Sequence, residues 1–385
     1  MRGKISLFIL LLCCLLFFPG CWGRRELNDL TIVTGMGLDS GKDGPYLTIV
    51  GTDPAKKGGG QDPRMGGAGG GGVQAEYDIC SASGSSIFDA ARNLTLLLPR
   101  RNYWSHCDVI VVGEELARTE GISHVLEFFA RDHARRTTAI IIVANGKAQE
   151  LLEIEPTLSR DPATEMFDII RMSRLSGKGI EMPIYRFLAE TEGVTGASLA
   201  DYFTGKDFGG PPQVSGRGKE KVLAGAGVFY KYKLISTLTT VEARGANWLR
   251  EEVKTGVVTF PSRPDGPVDT TLEMSKVRTK IDPLLTEDGG VVKVSLEVKG
   301  GIVEYLGTGK LMEEEVRKKL EEACSKAVEE EIMKAWRKAK DELRTDIFGF
   351  GDRFTNKYSS LVGMDPEQWR EIFLELELQL DVKTS

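Results

Sequence analysis

The sequence has few of the residues on which most catalytic and metal sites depend. Its 385 residues include only three histidines and six cysteines. No CxxC, HExxH or GxSxG motif occurs, so there is no motif for a zinc site, a zinc protease or a serine hydrolase. His106 and Cys107 are adjacent, but neighbouring side chains in a strand point to opposite faces, which argues against a thiol–imidazole pair. We therefore expect no enzymatic activity, no metal and no cofactor.

Concentrated positive charge and long apolar runs are also missing. Acidic side chains outnumber basic ones by 56 to 50, which gives a formal net charge of −6. Nucleic acid binding needs a concentrated basic surface, so we expect no nucleic acid partner. After residue 20 no segment approaches the roughly 18 uninterrupted apolar residues of a membrane-spanning helix. The composition, 41% hydrophobic and 28% charged, is that of a globular protein.

The first twenty residues have the pattern of a secretory signal peptide. Arg2 and Lys4 give a positive start, and residues 5–18 form an apolar run that is short for a membrane span. Phe18-Pro-Gly-Cys21 follows and resembles a lipobox, whose cysteine accepts a diacylglyceryl group before cleavage. We therefore expect residues 1–20 to be removed and Cys21 to tether the protein to a lipid bilayer. The alternatives are an uncleaved anchor, or an ordinary signal peptide that leaves Cys21 as a free thiol.

Three cysteines besides Cys21 remain after this cleavage. Cys80, Cys107 and Cys324 have long and irregular spacings, which argues against a disulfide scaffold. Their sequence pattern favours three buried, reduced thiols. One disulfide bridge among the three is the alternative.

The mature chain is predicted to contain a short linker and three domains. Residues 21–30 are the polar linker between the lipid and the first domain. In residues 31–155 strands alternate with helices, which is typical of an α/β domain with a mixed sheet. Residues 156–219 form a small middle domain, with a helix capped by Asp161. The glycine- and proline-rich stretch from Phe203 to Lys221 is predicted to be the linker at its end. The glycine-rich segment 58–72 has neither a P-loop nor a Rossmann motif and is predicted to be a flexible hairpin loop.

Residues 220–385 are predicted to form an α+β domain. A long helix from Leu311 to Phe348 has one broad apolar stripe with a 3.6-residue period, so we expect it to pack on a mostly antiparallel sheet of its own domain. The final strand is predicted from apolar residues that alternate with polar ones: Leu374, Leu376, Leu378, Leu380 and Val382. The whole chain is thus expected to be an elongated multidomain protein of α/β and α+β class, with mixed sheets packed by helices.

Several dispersed segments together resemble one family, the Ger(x)C or C-subunit lipoproteins of bacterial spore germinant receptors. They run in order through nearly the whole chain: Cys21-Trp-Gly-Arg-Arg-Glu-Leu-Asn-Asp-Leu30, Pro99-Arg-Arg-Asn-Tyr-Trp-Ser-His106, Val109-Ile-Val-Val-Gly-Glu-Glu-Leu-Ala117, Phe128-Phe-Ala-Arg-Asp132, Gly225-Ala-Gly-Val-Phe229, Asp346-Ile-Phe-Gly-Phe-Gly351 and Trp369. The departures are the lipobox residues Phe18 and Pro19, Gly23 where the family usually has Asp, and the glycine-rich insert.

The resemblance implies a non-enzymatic, lipid-anchored receptor subunit without a cofactor. Its place would be the outer face of the inner spore membrane, bound to the bilayer through the diacylglyceryl cysteine. Its partners would be an integral A subunit and a permease-like B subunit, and the complex would be required for germination in response to nutrients.

Arginine forms bidentate pairs suited to protein interfaces, so we expect partner contacts first at the arginines that stand in or beside the quoted segments. The alternative is that they form a solvated surface. These candidate interface residues are Arg24, Arg25, Arg100, Arg101, Arg131, Arg135 and Arg136.

Two other functions fit a tethered protein. A lipid-anchored solute-binding protein would deliver a small molecule to a permease, but such proteins have two lobes of similar size, and the predicted middle domain is too small for a lobe. An anchored hydrolase is the third hypothesis, and the missing motifs argue against it.

Overall fold

The computed structural model describes residues 29–42, 44–53, 77–131, 136–206, 219–263, 266–286 and 289–385, together with residue 3. The predicted cleavage site, Cys21 and nearly all of the linker lie outside the described residues. The glycine-rich segment 58–72 also lies outside them.

The first sheet contains nine strands within the described ranges: β1 (Leu30–Gly41), β2 (Gly44–Thr52), β3 (Tyr77–Ser83), β4 (Arg101–Tyr103), β5 (Val109–Gly113), β6 (Ile140–Ala144), β7 (Ala197–Lys206), β8 (Glu220–Tyr230) and β9 (Lys233–Thr239). Their order is β3-β2-β1-β5-β6-β7-β8-β9, with β4 paired to the start of β1. The central strands β1, β5, β6 and β7 are parallel, and antiparallel hairpins flank them on both sides. The predicted mixed sheet is therefore confirmed.

Helices cover both faces of this sheet: α1 (Ile87–Asn93), α2 (Glu114–Thr119), α3 (Ser123–Ala130), α4 (Ala148–Glu153), α5 (Pro162–Ser173) and α6 (Ile184–Glu192). Strand β5 shows why its sequence is continuously apolar. Val109 and Val111 pack in the core with α4 and α5, whereas Ile110 and Val112 pack in the core with α1, α2, α3 and α6. A strand buried on both faces has no place for polar residues.

Two buried aspartates fix the positions of α4 and α5. Asp161 accepts a hydrogen bond from the Thr164 N–H at 2.8 Å and another from the Thr34 hydroxyl at 3.1 Å, which confirms it as the cap of α5. Asp39, near the end of β1, accepts the N–H groups of Ala148 and Gln149 at 2.8 and 3.0 Å. Burial raises the pKa of the Asp39 carboxyl group, and these two hydrogen bonds oppose that effect. An acceptor at a helix N-terminus satisfies N–H groups that have no partner within the helix.

The second sheet lies in the C-terminal part of the chain, which contains α7 (Thr240–Leu249), β10 (Gly256–Phe260), β11 (Thr270–Thr286), β12 (Gly289–Tyr305), α8 (Glu314–Arg337), α9 (Phe350–Lys357), α10 (Pro366–Glu375) and β13 (Glu377–Thr384). Its order is β10-β11-β12-β13. The first two pairs are antiparallel and β12–β13 is parallel. The prediction of a mostly antiparallel sheet with one long helix is confirmed.

Helix α8 packs both on the second sheet and on α7. Its buried side chains form the predicted stripe and include Leu320, Ile332 and Trp336. The guanidinium of Arg244 in α7 forms a bidentate ion pair with the carboxylate of Glu331 in α8. Nε of Arg244 donates to Oε2 of Glu331 at 2.8 Å. The apolar core is continuous from the first sheet through α7 and α8 to the second sheet.

The predicted bounds of the long helix and of the final strand were wrong. The long helix begins at Glu314 and not at Leu311. It passes through a π-helical turn at Lys338–Leu343 and stops at Arg344, which adopts a left-handed conformation, so residues 345–348 are not helical. Leu374 belongs to α10, and the final strand begins only at Glu377. Pro366 in the first turn and a reciprocal capping box between Asp365 and Gln368 start α10, and these local hydrogen bonds favour helix there.

The first sheet extends across the predicted domain boundaries. Strand β7 comes from the predicted middle domain, and β8 and β9 come from the predicted C-terminal domain. The boundaries after residues 155 and 219 therefore fall within the sequence of one continuous sheet. The glycine- and proline-rich linker predicted from Phe203 to Lys221 is shorter than expected, because β7 continues to Lys206 and β8 begins at Glu220.

Candidate interaction surface

The parallel strands of the first sheet begin at one edge, which we call the amino edge. It is marked by Leu30 of β1, Arg101 of β4, Val109 of β5 and Ile140 of β6. Leu30 pairs with Arg101, and Val109 pairs with Ile140, so these residues lie level with the starts of neighbouring strands. The chain enters the described fold at this edge, because β1 is its first strand.

Three of the predicted interface arginines lie at or beside the amino edge. Arg100 forms an ion pair with Asp53, which follows β2. Arg101 is exposed, and within the described ranges its guanidinium has no ion-pair partner. Arg136 is exposed and precedes β6 by a few residues. The structure thus brings Arg100, Arg101 and Arg136 to one side of the sheet although the sequence separates them.

The remaining predicted arginines divide into two groups. Arg131 follows α3 and pairs with Glu127 at 2.6 Å, one helical turn earlier. Its side chain is 78% exposed, and ion pairs between exposed side chains contribute little to stability. Arg24, Arg25 and Arg135 lie outside the described residues, as does Cys21.

A polar cavity of about 470 Å³ lies beside the amino edge. Its lining includes Arg136 and two arginines that are already paired, Arg174 with Glu181 at 2.7 Å and Arg186 with Glu252 at 2.7 Å. Because these charges pair within the protein, the cavity has no strong excess of either sign. Its geometry favours a stable polar surface more than a binding site for a charged solute.

An apolar groove of about 730 Å³ lies between α1 and α3, beside the turn that joins β1 to β2. Ile87 and Phe88 of α1 and Val125 and Phe128 of α3 line it. The rings of Phe88 and Phe128 meet edge to face with their centroids 6.3 Å apart, and Phe88 is still 50% exposed. The groove is therefore an exposed apolar surface on the side of the sheet away from the amino edge.

The motif at Asp346 has a structural role. Its buried carboxylate accepts N–H groups from Phe348, Gly349 and Gly351 at 2.8–3.1 Å, and the Trp369 indole donates to it at 3.0 Å. Burial raises the pKa of Asp346 to about 6, while the hydrogen bonds favour the ionised form. Residues 346–351 and Trp369, which lie apart in the sequence, are thus joined through one side chain.

The cysteines and histidines form no reactive cluster among the described residues. Cys107 is buried and its thiol donates to the carbonyl of Val109, whereas the neighbouring His106 is exposed. Cys80 and Cys324 are also free, and burial raises the pKa of Cys324 to about 12. Within the described ranges no group of three or more potential metal ligands comes together.

No helix among the described residues is both long enough and apolar enough to cross a membrane.

Comparison with known protein families finds a match for each half of the chain. The family model for the spore germination protein N-terminal domain matches residues 23–200. The model for the spore germination B3/GerAC-like C-terminal domain matches residues 224–385. The chain belongs to the GerAC family of spore germination proteins.

Two individual relatives match along nearly their whole length. The chain is 28% identical to spore germination protein KC of Bacillus subtilis (strain 168), covering 100% of this chain and 95% of the relative. It is 24% identical to spore germination protein B3 of the same organism, covering 99% and 96%. The crystal structure of the GerBC protein has the same fold, with a TM-score of 0.58 at 19% identity, and the match covers 91% of this chain and 96% of that one.

Two features of this GerAC-family surface were missed from the sequence. The contact between Asp39 and the start of α4 joins residues more than a hundred positions apart, and no local sequence pattern indicates it. The second feature is the exposure of Leu96 and Leu97, which lie in a segment rich in leucine directly after α1. The available signal was the run of four leucines in residues 94–98, broken only by Thr95, which is more than one face of a short helix can bury.

Proposed function

We propose that this protein is a lipid-anchored, non-enzymatic subunit of a spore germinant receptor. Its place is the outer face of the inner spore membrane, and it acts through contacts with integral A and B subunits. The observation that carries the proposal is the match to spore germination proteins over both halves of the chain and nearly their full length. The lipobox-like sequence that ends at Cys21 supports the anchor.

The anchor is tested by replacing the thiol that would carry the lipid. Cys21→Ala should move the protein out of the membrane fraction of spores and impair germination with nutrients. Cys80→Ala is the matched control, because Cys80 is a free and only half-buried thiol within the fold. The control should leave both membrane association and germination unchanged. Full germination by spores that carry Cys21→Ala would contradict the anchoring part of the proposal.

The partner contact is tested with charge reversals on exposed arginines. Arg136→Glu changes an arginine beside the amino edge, and Arg278→Glu changes one on the second sheet that is 65% exposed. Co-purification with the cognate A and B subunits should weaken for Arg136→Glu and persist for Arg278→Glu. Equal recovery of both subunits with the two variants would argue against a contact at the amino edge.

A solute-binding role receives less support from the cavities. The polar cavity beside the amino edge has its arginines paired with protein carboxylates, so an entering solute would have to displace existing ion pairs. Calorimetric titration of the protein with amino acids and sugars tests this alternative. Binding in the micromolar range would favour it.

A further inference from the structure

One loop at the amino edge combines exposed leucines with positive charge. It runs from Leu94, at the end of α1, to Arg101, where β4 begins. Leu96 is 83% exposed and Leu97 is 63% exposed. Placing two adjacent leucines in water forgoes the free energy that their burial would provide. Monomeric surfaces tolerate single exposed leucines, whereas adjacent ones begin to form the kind of apolar patch that marks contact surfaces.

The backbone around Leu96 and Leu97 keeps their side chains exposed to solvent. Leu94 is fully buried in the core beneath the loop, and its carbonyl accepts the N–H groups of Leu97 and Leu98 at 3.0 and 2.9 Å. Leu98 packs partly against the same core. Since the residues on both sides are fixed, Leu96 and Leu97 cannot turn inward without breaking this helical turn.

Positive charge follows directly after the leucines. Arg101 is exposed, and its guanidinium has no ion-pair partner in the part of the chain that the structure describes. Arg100 precedes it and is 29% exposed beside Asp53. A guanidinium without an ion-pair partner, four positions along the chain from exposed leucines, is suited to a surface that presents phosphates above an apolar layer.

The position of the loop relative to the predicted lipid anchor indicates which surface the loop contacts. Arg101 is the direct strand partner of Leu30. Leu30 follows Cys21 by nine residues, and nine residues span at most about 32 Å when fully extended. If Cys21 carries the lipid, this edge of the sheet is held within that distance of the bilayer.

We propose that the amino edge docks on the membrane to which the chain is tethered. Leu96 and Leu97 enter the interfacial layer of an anionic phospholipid bilayer, and the Arg101 guanidinium binds lipid phosphates. The docking fixes the orientation of the whole protein, with the apolar groove between α1 and α3 facing away from the membrane. This inference rests on the lipid anchor of the proposed function, but part of it can be tested without the anchor.

The first experiment measures orientation on the tethered protein. The lipidated full chain is reconstituted in vesicles of phosphatidylcholine and phosphatidylglycerol, with a fluorophore on Leu97→Cys or on Lys42→Cys. Lys42 is exposed in the β1–β2 turn at the opposite edge. The protein without an added cysteine gives the background from Cys80. Lipids brominated along the acyl chain should quench the label at position 97 and leave the label at position 42 bright. Equal fluorescence at both positions on vesicle-bound protein would overturn the proposal.

The second experiment uses a form of the protein that has no lipid anchor. The chain from Trp22 onward contains all the described strands and helices and carries no lipid. Its partitioning onto the same anionic vesicles is compared with that of Leu96→Ser/Leu97→Ser. The matched control is Leu306→Ser/Met312→Ser, since these side chains are 74% and 95% exposed and follow β12 of the second sheet.

The outcomes separate this inference from the anchor. We expect Leu96→Ser/Leu97→Ser to lower the partition coefficient at least about tenfold, because this variant lacks the free energy that two leucine side chains gain when they leave water. The control variant should leave the partition coefficient unchanged. Arg101→Ala should weaken binding to anionic vesicles and have little effect on vesicles of phosphatidylcholine alone. Equal partitioning of the wild type and the leucine variant would overturn the docking surface even if Cys21 is lipidated. If the native protein lacks the lipid, the expected loss of partitioning would still support the surface.

Discussion

Replacing Glu331 with alanine should destabilise the fold strongly, because its carboxylate is the centre of the contact between α7 and α8. Both oxygens of Glu331 accept hydrogen bonds from the Arg244 guanidinium, and the Trp248 indole donates to the same carboxylate at 3.2 Å. The side chains of Arg244 and Glu331 are 8% and 14% exposed. Removal of the carboxylate would leave the guanidinium buried, with the carbonyl of Val257 at 2.8 Å as its remaining acceptor.

The expected magnitude follows from these contacts. Breaking a buried ion pair by removing one partner costs about 3–5 kcal/mol. The remaining bond from Arg244 to Val257 places this case near the lower value, and the unpaired Trp248 N–H adds about 1 kcal/mol. We therefore expect Glu331→Ala to lower the free energy of unfolding by about 4 kcal/mol. The double variant Arg244→Met/Glu331→Met removes both charges and should recover most of that loss.

Urea unfolding followed by circular dichroism and tryptophan fluorescence measures these effects. Glu330→Ala is the control, since Glu330 is the preceding residue of α8 and is exposed. It should change the free energy of unfolding by no more than about 0.5 kcal/mol. Unfolding of Glu331→Ala within about 1 kcal/mol of the wild type, or a double variant less stable than Glu331→Ala, would contradict a buried ion pair at this contact.

Two further predictions concern packing and pH. Gly245→Ala should lower the thermal unfolding midpoint although alanine is the better helix former, because its Cβ would overlap the carbonyl oxygen of Glu331; an unchanged midpoint would contradict this close approach. Burial raises the pKa values of Asp201 and Asp346 from 3.8 to about 6, so the folded protein favours the protonated carboxyl groups. Each group therefore contributes about 3 kcal/mol to the free energy of unfolding at low pH. This contribution is complete below about pH 4 and is lost as the pH rises through 6. Urea unfolding from acid to neutral pH should show this decline, and Asp201→Asn should make it shallower; equal slopes would count against the raised pKa.

The fold was predictable wherever the pattern of burial is local. The continuous apolar run at Val109 to Val112 and the alternation from Val292 to Val298 are each enough to indicate a strand, and the structure has β5 and β12 there. The apolar stripe of α8 likewise indicates the long helix. The end of the chain shows the limit of this reasoning. The alternation of apolar and polar residues in β13 continues towards the N-terminus into α10. Leu374 there fits both the two-residue period of a strand and the 3.6-residue period of a helix. The capping box at Asp365 was the signal that could have separated them.

The sheet order and the interaction surface required contacts that sequence patterns do not contain. The glycines and prolines between Phe203 and Lys221 indicated a break in the chain, and a loop inside a hairpin has the same composition as a linker between domains. Arg101 and Arg136 were both selected as candidates, but only the pairing of β1, β5 and β6 places them on one edge. Their role as a partner interface remains a prediction.

The hairpin of β7 and β8 has a practical consequence for dividing this protein into fragments. The two family matches stop at residue 200 and resume at residue 224, and both points lie inside these paired strands. A fragment that ends at residue 200 would lose most of β7, and one that starts at residue 224 would carry β9 and a shortened β8 with no sheet to join. Each would expose backbone N–H and C=O groups along an open strand, which is a template for aggregation. Expressed together, the two fragments could instead complete each other's sheet.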